Sequence, residues 1–249
     1  MLEWYEYVLI VLVGFLAAFM NTIGGGGSLF SVPILTFMGL PITVANATSR
    51  VALLFQNFFA VRGFKSMGIE LPWPYSLYLG FASLGGGLIG SLVASKVTDA
   101  IFTRIFVMVM ILAVVLIIYD PFKTNKTEKL DARSQVVGTI CFFFIGIYGG
   151  FVQAGIGFLV IAVLSLVNHL SLVKSNYVKV FAAIVYTGVS VIVFALEGKI
   201  MWTTGLVLAI GHAWGGWVAS RWSVKAGDVW IKRIMIITIL GLAVRLWFS

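Results

Sequence analysis

The chain has 249 residues, of which 61% are hydrophobic and only 10% charged, with a mean hydropathy of +1.07. A soluble domain carries about 25% charged residues, so this composition excludes an ordinary soluble enzyme. Seventeen Lys and Arg against nine Asp and Glu give a net charge of +8. Basic residues at the ends of apolar helices face anionic headgroups and set orientation, so this excess does not call for nucleic acid as a partner.

In chain order, the first half reads as five apolar segments at about 7–23, 28–38, 46–62, 74–95 and 101–119. The second half repeats them at about 135–152, 158–167, 176–195, 201–221 and 231–248. Blocks such as Val107 to Tyr119 are apolar at every position, whereas a barrel strand alternates apolar with polar residues; the segments are therefore read as helices. Glu3 and Glu6 stand where a signal peptide would be basic, so the first segment is expected to be a retained helix. The second segment of each half follows a glycine cluster and is short for a crossing. The first two segments are therefore expected to form a hairpin that re-enters or barely spans.

An offset of 130 residues aligns the halves without a gap. Gly25 falls on Gly155, Gly27 on Gly157, Asn46 on Asn176, Phe64 on Phe194, and Gly85-Gly86 on Gly215-Gly216. This pattern reads as an internal duplication, the common architecture of secondary transporters. If each hairpin returns to its starting side, the halves are inverted and twelve of the seventeen cations collect on one face, leaving Arg50, Lys96, Arg104, Lys199 and Arg245 on the other. If each hairpin makes one crossing, the split is eight against nine and specifies no orientation. The expected fold is an all-α polytopic membrane protein of two inverted repeats. Residues 1–119 form the N-terminal transmembrane repeat, 120–134 a cytoplasmic linker and 135–249 the C-terminal repeat, with both termini outside the cytoplasmic membrane.

Two constellations carry the candidate chemistry. The first comprises the glycine clusters, Gly24 to Gly27 in one half and Gly149-Gly150 with Gln153, Gly155 and Gly157 in the other. A helix starting after such a turn points unpaired N–H groups outward, and two such N-termini would favour an anion; close helix packing is the competing use of the same glycines. The second is Asn46, Thr48, Ser49 and Arg50 with Asn176 and Lys179. Asn46 and Asn176 suit helix N-caps. Arg50 and Lys179 would then lie in first turns, where the helix dipole disfavours a cation unless an anion is present; the alternative is snorkelling to headgroups. Gln56 and Asn57 are candidates for bonds between helices. His212, in a tryptophan-rich apolar stretch, reads as a packing histidine rather than a proton relay. Two His and one Cys, Cys141, form no metal-ligand cluster and no internal disulfide. No metal or cofactor is expected, and Cys141 reads as a small buried hydrophobe.

Taken in order, these residues make the chain resemble the sulfite exporter (TauE/SafE) family. The resemblance rests on Gly24 to Gly27 followed by Val32-Pro33-Ile34-Leu35, on Val44-Ala45-Asn46-Ala47-Thr48-Ser49, on Tyr148-Gly149-Gly150-Phe151 leading to Gly155-Ile156-Gly157, and on Asn176 with Lys179. It implies a transporter of sulfite, sulfonates or related sulfur-containing anions. The substrate-binding residues would be Gly25, Gly26, Gly27, Asn46, Thr48, Ser49, Arg50, Gln153, Gly155, Gly157, Asn176 and Lys179. Ala47 stands where the family usually has glycine, Arg50 where it has an apolar residue, and Gln153 where it has a small one. The expected partners are a small anionic substrate and the lipid bilayer, with a homodimer as a further expectation. An anion channel is the alternative to a carrier, because glycine-rich hairpins also build pores.

Overall fold

The computed structural model describes residues 4–25, 28–106, 108 and 127–247. The helices are α1 (Trp4–Gly24), α2 (Ser28–Phe37), α3 (Ile42–Ser66), α4 (Tyr75–Lys96), α5 (99–106), α6 (Ala132–Phe151), α7 (Ile156–Val167), α8 (Leu172–Leu196) and α9 (Trp202–Trp247). There is no strand among the described residues. Most of the segment expected at 101–119 and the linker positions 120–126 lie outside the described residues. The linker expected to reach 134 gives way to α6 at Ala132. There Asp131 takes the N-cap position, and the Ser134 hydroxyl bonds its carboxylate and holds it below the usual carboxylate range.

Within α9, Gly227 has φ 72 and ψ −179. This left-handed backbone suits glycine and divides α9 into two arms, between the segments expected at 201–221 and 231–248.

The residue pattern is turned inside out relative to a soluble protein. Leu9, Leu12 and Leu16 on α1, Phe81 and Leu88 on α4, Ile140 and Phe144 on α6, and Ile210 and Trp214 on α9 are exposed. Asn46, Thr48, Ser49, Arg50, Gln56, Asn57, Asn176, Lys179, Thr187 and His212 are buried. Contiguous apolar surface on this scale marks a membrane-facing exterior. Four described helices, Tyr7–Gly24, Tyr75–Lys96, Ala132–Phe151 and Leu172–Leu196, are long and apolar enough to cross a membrane. Cys141, expected to be buried, is half-buried on α6.

The helix pairings are reciprocal between the halves. α1 packs along the first arm of α9, and α6 packs along α4. α3 lies against α9, α8 against α4, and α3 against α8. Small residues make the first two contacts close: a Cβ at Gly211 would meet Val11 and Phe15 main chain, and one at Gly90 would meet Ile147 and Phe151 main chain. Without lateral hydrophobic drive inside a bilayer, such close dispersion contact holds helices together. This is the packing use of Gly85 to Gly90 and of Gly215-Gly216.

Loop contacts fix where each hairpin ends. Tyr75, at the start of α4, donates to Asn168 Oδ1 just past α7 (2.9 Å), and a Cβ at Gly138 near the start of α6 would meet that same hydroxyl. The two ends of the α6–α7 hairpin therefore both lie beside the start of α4. At the other hairpin, the Thr43 N–H donates to Asp99 beyond the end of α4 (3.0 Å).

Gly90→Val is expected to destabilise the protein by about 1–3 kcal/mol through overpacking of α4 on α6. Gly188, whose nearest neighbour would be a Leu54 methyl at 4.0 Å, should accept Ala with no loss or with a gain of up to about 1 kcal/mol. Melting temperatures in detergent distinguish the two; equal losses would contradict the packing described.

Candidate functional site

An α-helix leaves its last carbonyls without intrahelical partners. Where a helix ends inside an apolar bundle those carbonyls must find donors, because no water is present to serve them. α1 ends at Gly24, followed by Gly25 at φ 83, and α6 ends at Phe151, followed by Gln153 at φ 64 and Gly155 at φ 69. Gln153 is a non-glycine residue in the left-handed region, a strained conformation that sidechain bonds help to hold. The two breaks meet: Gly25 lies so close to Gly157 that a Cβ on either would overlap the other's main chain. The end of α1 therefore abuts the first turn of α7, whose N-cap is Gly155.

Each broken end is served by a cation from the other half. Lys179, on α8, donates to Asn21 O at 2.9 Å and Thr22 O at 2.8 Å at the end of α1. Its ammonium also meets Asn176 Oδ1 at 2.6 Å, and Asn176 Nδ2 donates to Ile23 O at 2.9 Å. Arg50, on α3, donates to Gly149 O at 2.8 Å and Phe151 O at 3.1 Å at the end of α6. Asn46 Nδ2 reaches the same Phe151 oxygen at 3.3 Å, and the guanidinium lies 5.1 Å from the Phe194 ring centroid. A cation at a helix C-terminus is favoured by the helix dipole, which helps to offset the cost of holding these charges in the core.

Among the described residues neither cation has an acidic partner. The one ion pair among the described residues is Lys174 with Glu128, at 2.6 Å and partly exposed. Arg50 Nε is buried and has no hydrogen-bond acceptor among the described residues. The candidate site is thus rich in positive charge and in donors, and it retains an unused N–H.

The geometry changes two sequence expectations. α3 starts at Ile42 behind Pro41, and α8 starts at Leu172 behind Ser171, whose hydroxyl accepts from Lys174 N–H. Asn46 and Asn176 are therefore inside helices and are not N-caps, and Arg50 and Lys179 lie beyond the first turn. The cations face the C-termini of other helices, so the first-turn dipole penalty does not arise. Pro41 and Ser171 start the helices earlier than the apolar pattern alone implies.

The expected site residues fall into two groups. Asn46 and Arg50 gather at the end of α6, while Asn176 and Lys179 gather at the end of α1 beside Gly25 and Gly157. The two groups are thus attached to different helix ends. Thr48 accepts from the Met201 N–H at 3.1 Å and so secures the start of α9, while Ser49 bonds back to Asn46 O at 2.9 Å. Neither hydroxyl is directed to a break. Gly26 and Gly27 lie outside the described residues.

Gln56 bonds between helices as expected, whereas sequence reasoning missed the threonines that receive the glutamines at each break. Gln56 Nε2 donates to Thr22 Oγ1 at 3.2 Å, and Gln153 Nε2 donates to Thr187 Oγ1 at 3.2 Å. Tyr148 bonds Ala154 O across the second turn. Glutamine and threonine separated by 34 residues in both halves were the available signal. His212 has partners at both nitrogens, Ser31 Oγ at 3.3 Å and Gly14 O at 3.2 Å. This matches the packing role and ties α2 to α1 and α9.

Replacing Lys179 by Met would remove the ammonium from the Thr22 carbonyl and leave the Asn21 carbonyl with the Gly25 N–H alone. A loss of about 1–3 kcal/mol is expected, against less than about 0.5 kcal/mol for Val136→Ala on the exposed face of α6. Thermal unfolding in detergent measures both; equal effects would remove the capping role.

The sulfite exporter TauE/SafE family model matches residues 10–246. A probable membrane transporter protein, ORF9, from Sinorhizobium sp is 26% identical, with 98% of this chain and 94% of the relative covered. A probable membrane transporter protein from Haemophilus influenzae is 22% identical, covering 90% of this chain and 88% of the relative. No solved structure gives a significant match. With a family match that spans almost the whole chain and relatives aligned nearly end to end, this membrane transporter belongs to the sulfite exporter TauE/SafE family.

Proposed function

We propose that the protein is a secondary carrier that moves a sulfur-containing anion, such as sulfite or a sulfonate, across the cytoplasmic membrane by alternating access. The observation that carries this reading is the pair of buried cations, Arg50 and Lys179, that have main-chain carbonyls and no carboxylate as partners among the described residues. Two uncompensated positive charges in a low-dielectric bundle favour an anion over a neutral or cationic substrate.

In this reading the halves are inverted repeats. The positions of Asn168 and Gly138 beside the start of α4 support a hairpin that returns to its starting side; with the buried Arg50 and Lys179 set aside, the remaining cations divide eleven to four, which supports a cytoplasmic linker and both termini outside. The anion is received where the breaks cross, beside Gly25, Gly155 and Gly157, with the Lys179 and Asn176 group on one side and the Arg50 and Asn46 group on the other. Gln153 lines the turn between them. As the anion engages one cation, that cation's hold on its helix end weakens. Binding is thereby linked to the motion of one half against the other.

Binding of sulfite, sulfoacetate, thiosulfate, sulfate and an uncharged control to purified protein, read as a thermal shift, tests the substrate class. At least one sulfur anion should stabilise the wild type. Arg50→Ala and Lys179→Ala should abolish that shift, while Arg50→Lys and Lys179→Arg should keep part of it. Transport of a sulfur oxyanion at wild-type rate by both alanine variants, folded as judged by helical content, would sink the assignment.

A further inference from the structure

Two helices carry matching stripes on their lipid-facing surface. On α3 the stripe runs Phe55, Phe58, Phe59 and Arg62; on the first arm of α9 it runs Ile210, Trp214, Trp217 and Arg221. Spacings of three and four residues put each set on one helix face. The two helices run side by side in the same direction: a Cβ at Gly205 would meet Thr48, one at Gly216 would meet Gln56, and one at Gly63 would meet Ser220. Both stripes therefore reach their arginine at the same end of the helix pair.

Between them lies an apolar groove of about 400 Å³, lined by Phe59, Ile210, Ala213, Trp214 and Trp217. The arginines lie over rings at its end. Arg62 stands 4.3 Å from the Phe58 centroid and 6.0 Å from that of Phe59, and Arg221 stands 4.7 Å from that of Trp217. Neither is in an ion pair among the described residues. Lys65 and Lys225, both exposed, add to the cations at the same end, and the acidic residues nearest in sequence, Glu70 and Asp228, come after them.

We propose that the groove between α3 and α9 is a binding site for one anionic phospholipid, its acyl chain along Ile210, Trp214 and Phe59 and its phosphate on Arg62 and Arg221. The dimensions agree. From Ile210 to Arg221 is eleven residues, about 16 Å of helix, close to one leaflet's half of a hydrocarbon core about 30 Å thick. The arginines stacked on aromatic faces keep their outer N–H groups free for phosphate oxygens, which guanidinium binds in bidentate fashion. The charge is complementary to an anionic headgroup and not to a zwitterionic one, whose own cation would meet four basic residues.

The test is retention of lipid by the purified full chain. Protein in detergent is offered phosphatidylglycerol or phosphatidylcholine of equal chain length, and bound lipid is counted by native mass spectrometry. The wild type should retain one phosphatidylglycerol at least tenfold more tightly than phosphatidylcholine, and inorganic phosphate should not displace it. Arg62→Gln with Arg221→Gln should remove the preference. Ala213→Phe, which fills the groove and leaves both arginines, should weaken retention independently, and Arg133→Gln should change nothing. Equal retention of both lipids by the wild type would overturn the site, as would a preference that survives the double substitution. Displacement by inorganic phosphate, or an equal loss in Arg133→Gln, would reduce it to general surface charge and equally overturn it.

Discussion

Everything in the centre of this protein follows from the need to satisfy main-chain carbonyls where two helices stop inside an apolar bundle. An unpaired carbonyl there costs several kcal/mol, so a break is affordable only if donors are built in beside it. The ends of α1 and α6 receive those donors from Lys179 with Asn176 and from Arg50 with Asn46. In each case the donor comes from the opposite half of the chain. The breaks therefore bind the halves to one another as well as interrupting the helices, and the glycines at Gly25 and Gly157 allow the resulting main-chain approach.

The two breaks are alike in plan and different in detail. Gln56 bonds Thr22 and Gln153 bonds Thr187, each pair 34 residues apart and one residue out of the 130-residue register. The donor lies on the helix in one case and in the turn in the other. The cations are likewise unequal: a compact ammonium with three donors at one break, and a planar guanidinium with an unused Nε at the other. Arg and Lys respond differently to an oxyanion, since guanidinium offers a fixed fork and ammonium a point charge. The two sides of the crossing are thus chemically distinct.

Much of this was legible in the sequence, for identifiable reasons. The apolar blocks located α1, α4 and α6 closely because a membrane exterior leaves whole turns apolar. The glycine clusters marked both breaks, because few other residues adopt the positive φ that Gly25 and Gly155 require. What the pattern hid was the start of α3 and α8. Their first turns hold Thr43 in one case and Lys174 with Ser175 in the other, so hydropathy began the helices at Asn46 and Asn176, one turn late. That error moved Arg50 and Lys179 into first turns and reversed the sign of the dipole argument. No local signal could have placed them at the ends of α1 and α6, since those contacts span 99 to 158 residues of sequence.

The correction alters what the cations mean. In a first turn, each would need an anion merely to be tolerated; at a helix C-terminus, each is stable without one and holds a structural bond that an anion must compete for. The resting state then carries its own weak counter-charge, the partial negative charge of the carbonyls, which is much less than that of a full anion. An anion entering the crossing would gain more from each cation than the carbonyls do, but only by loosening a helix end that joins the two halves. Affinity and motion would be coupled through the same few hydrogen bonds. This is the differential interaction that a ligand needs if it is to shift a conformational equilibrium.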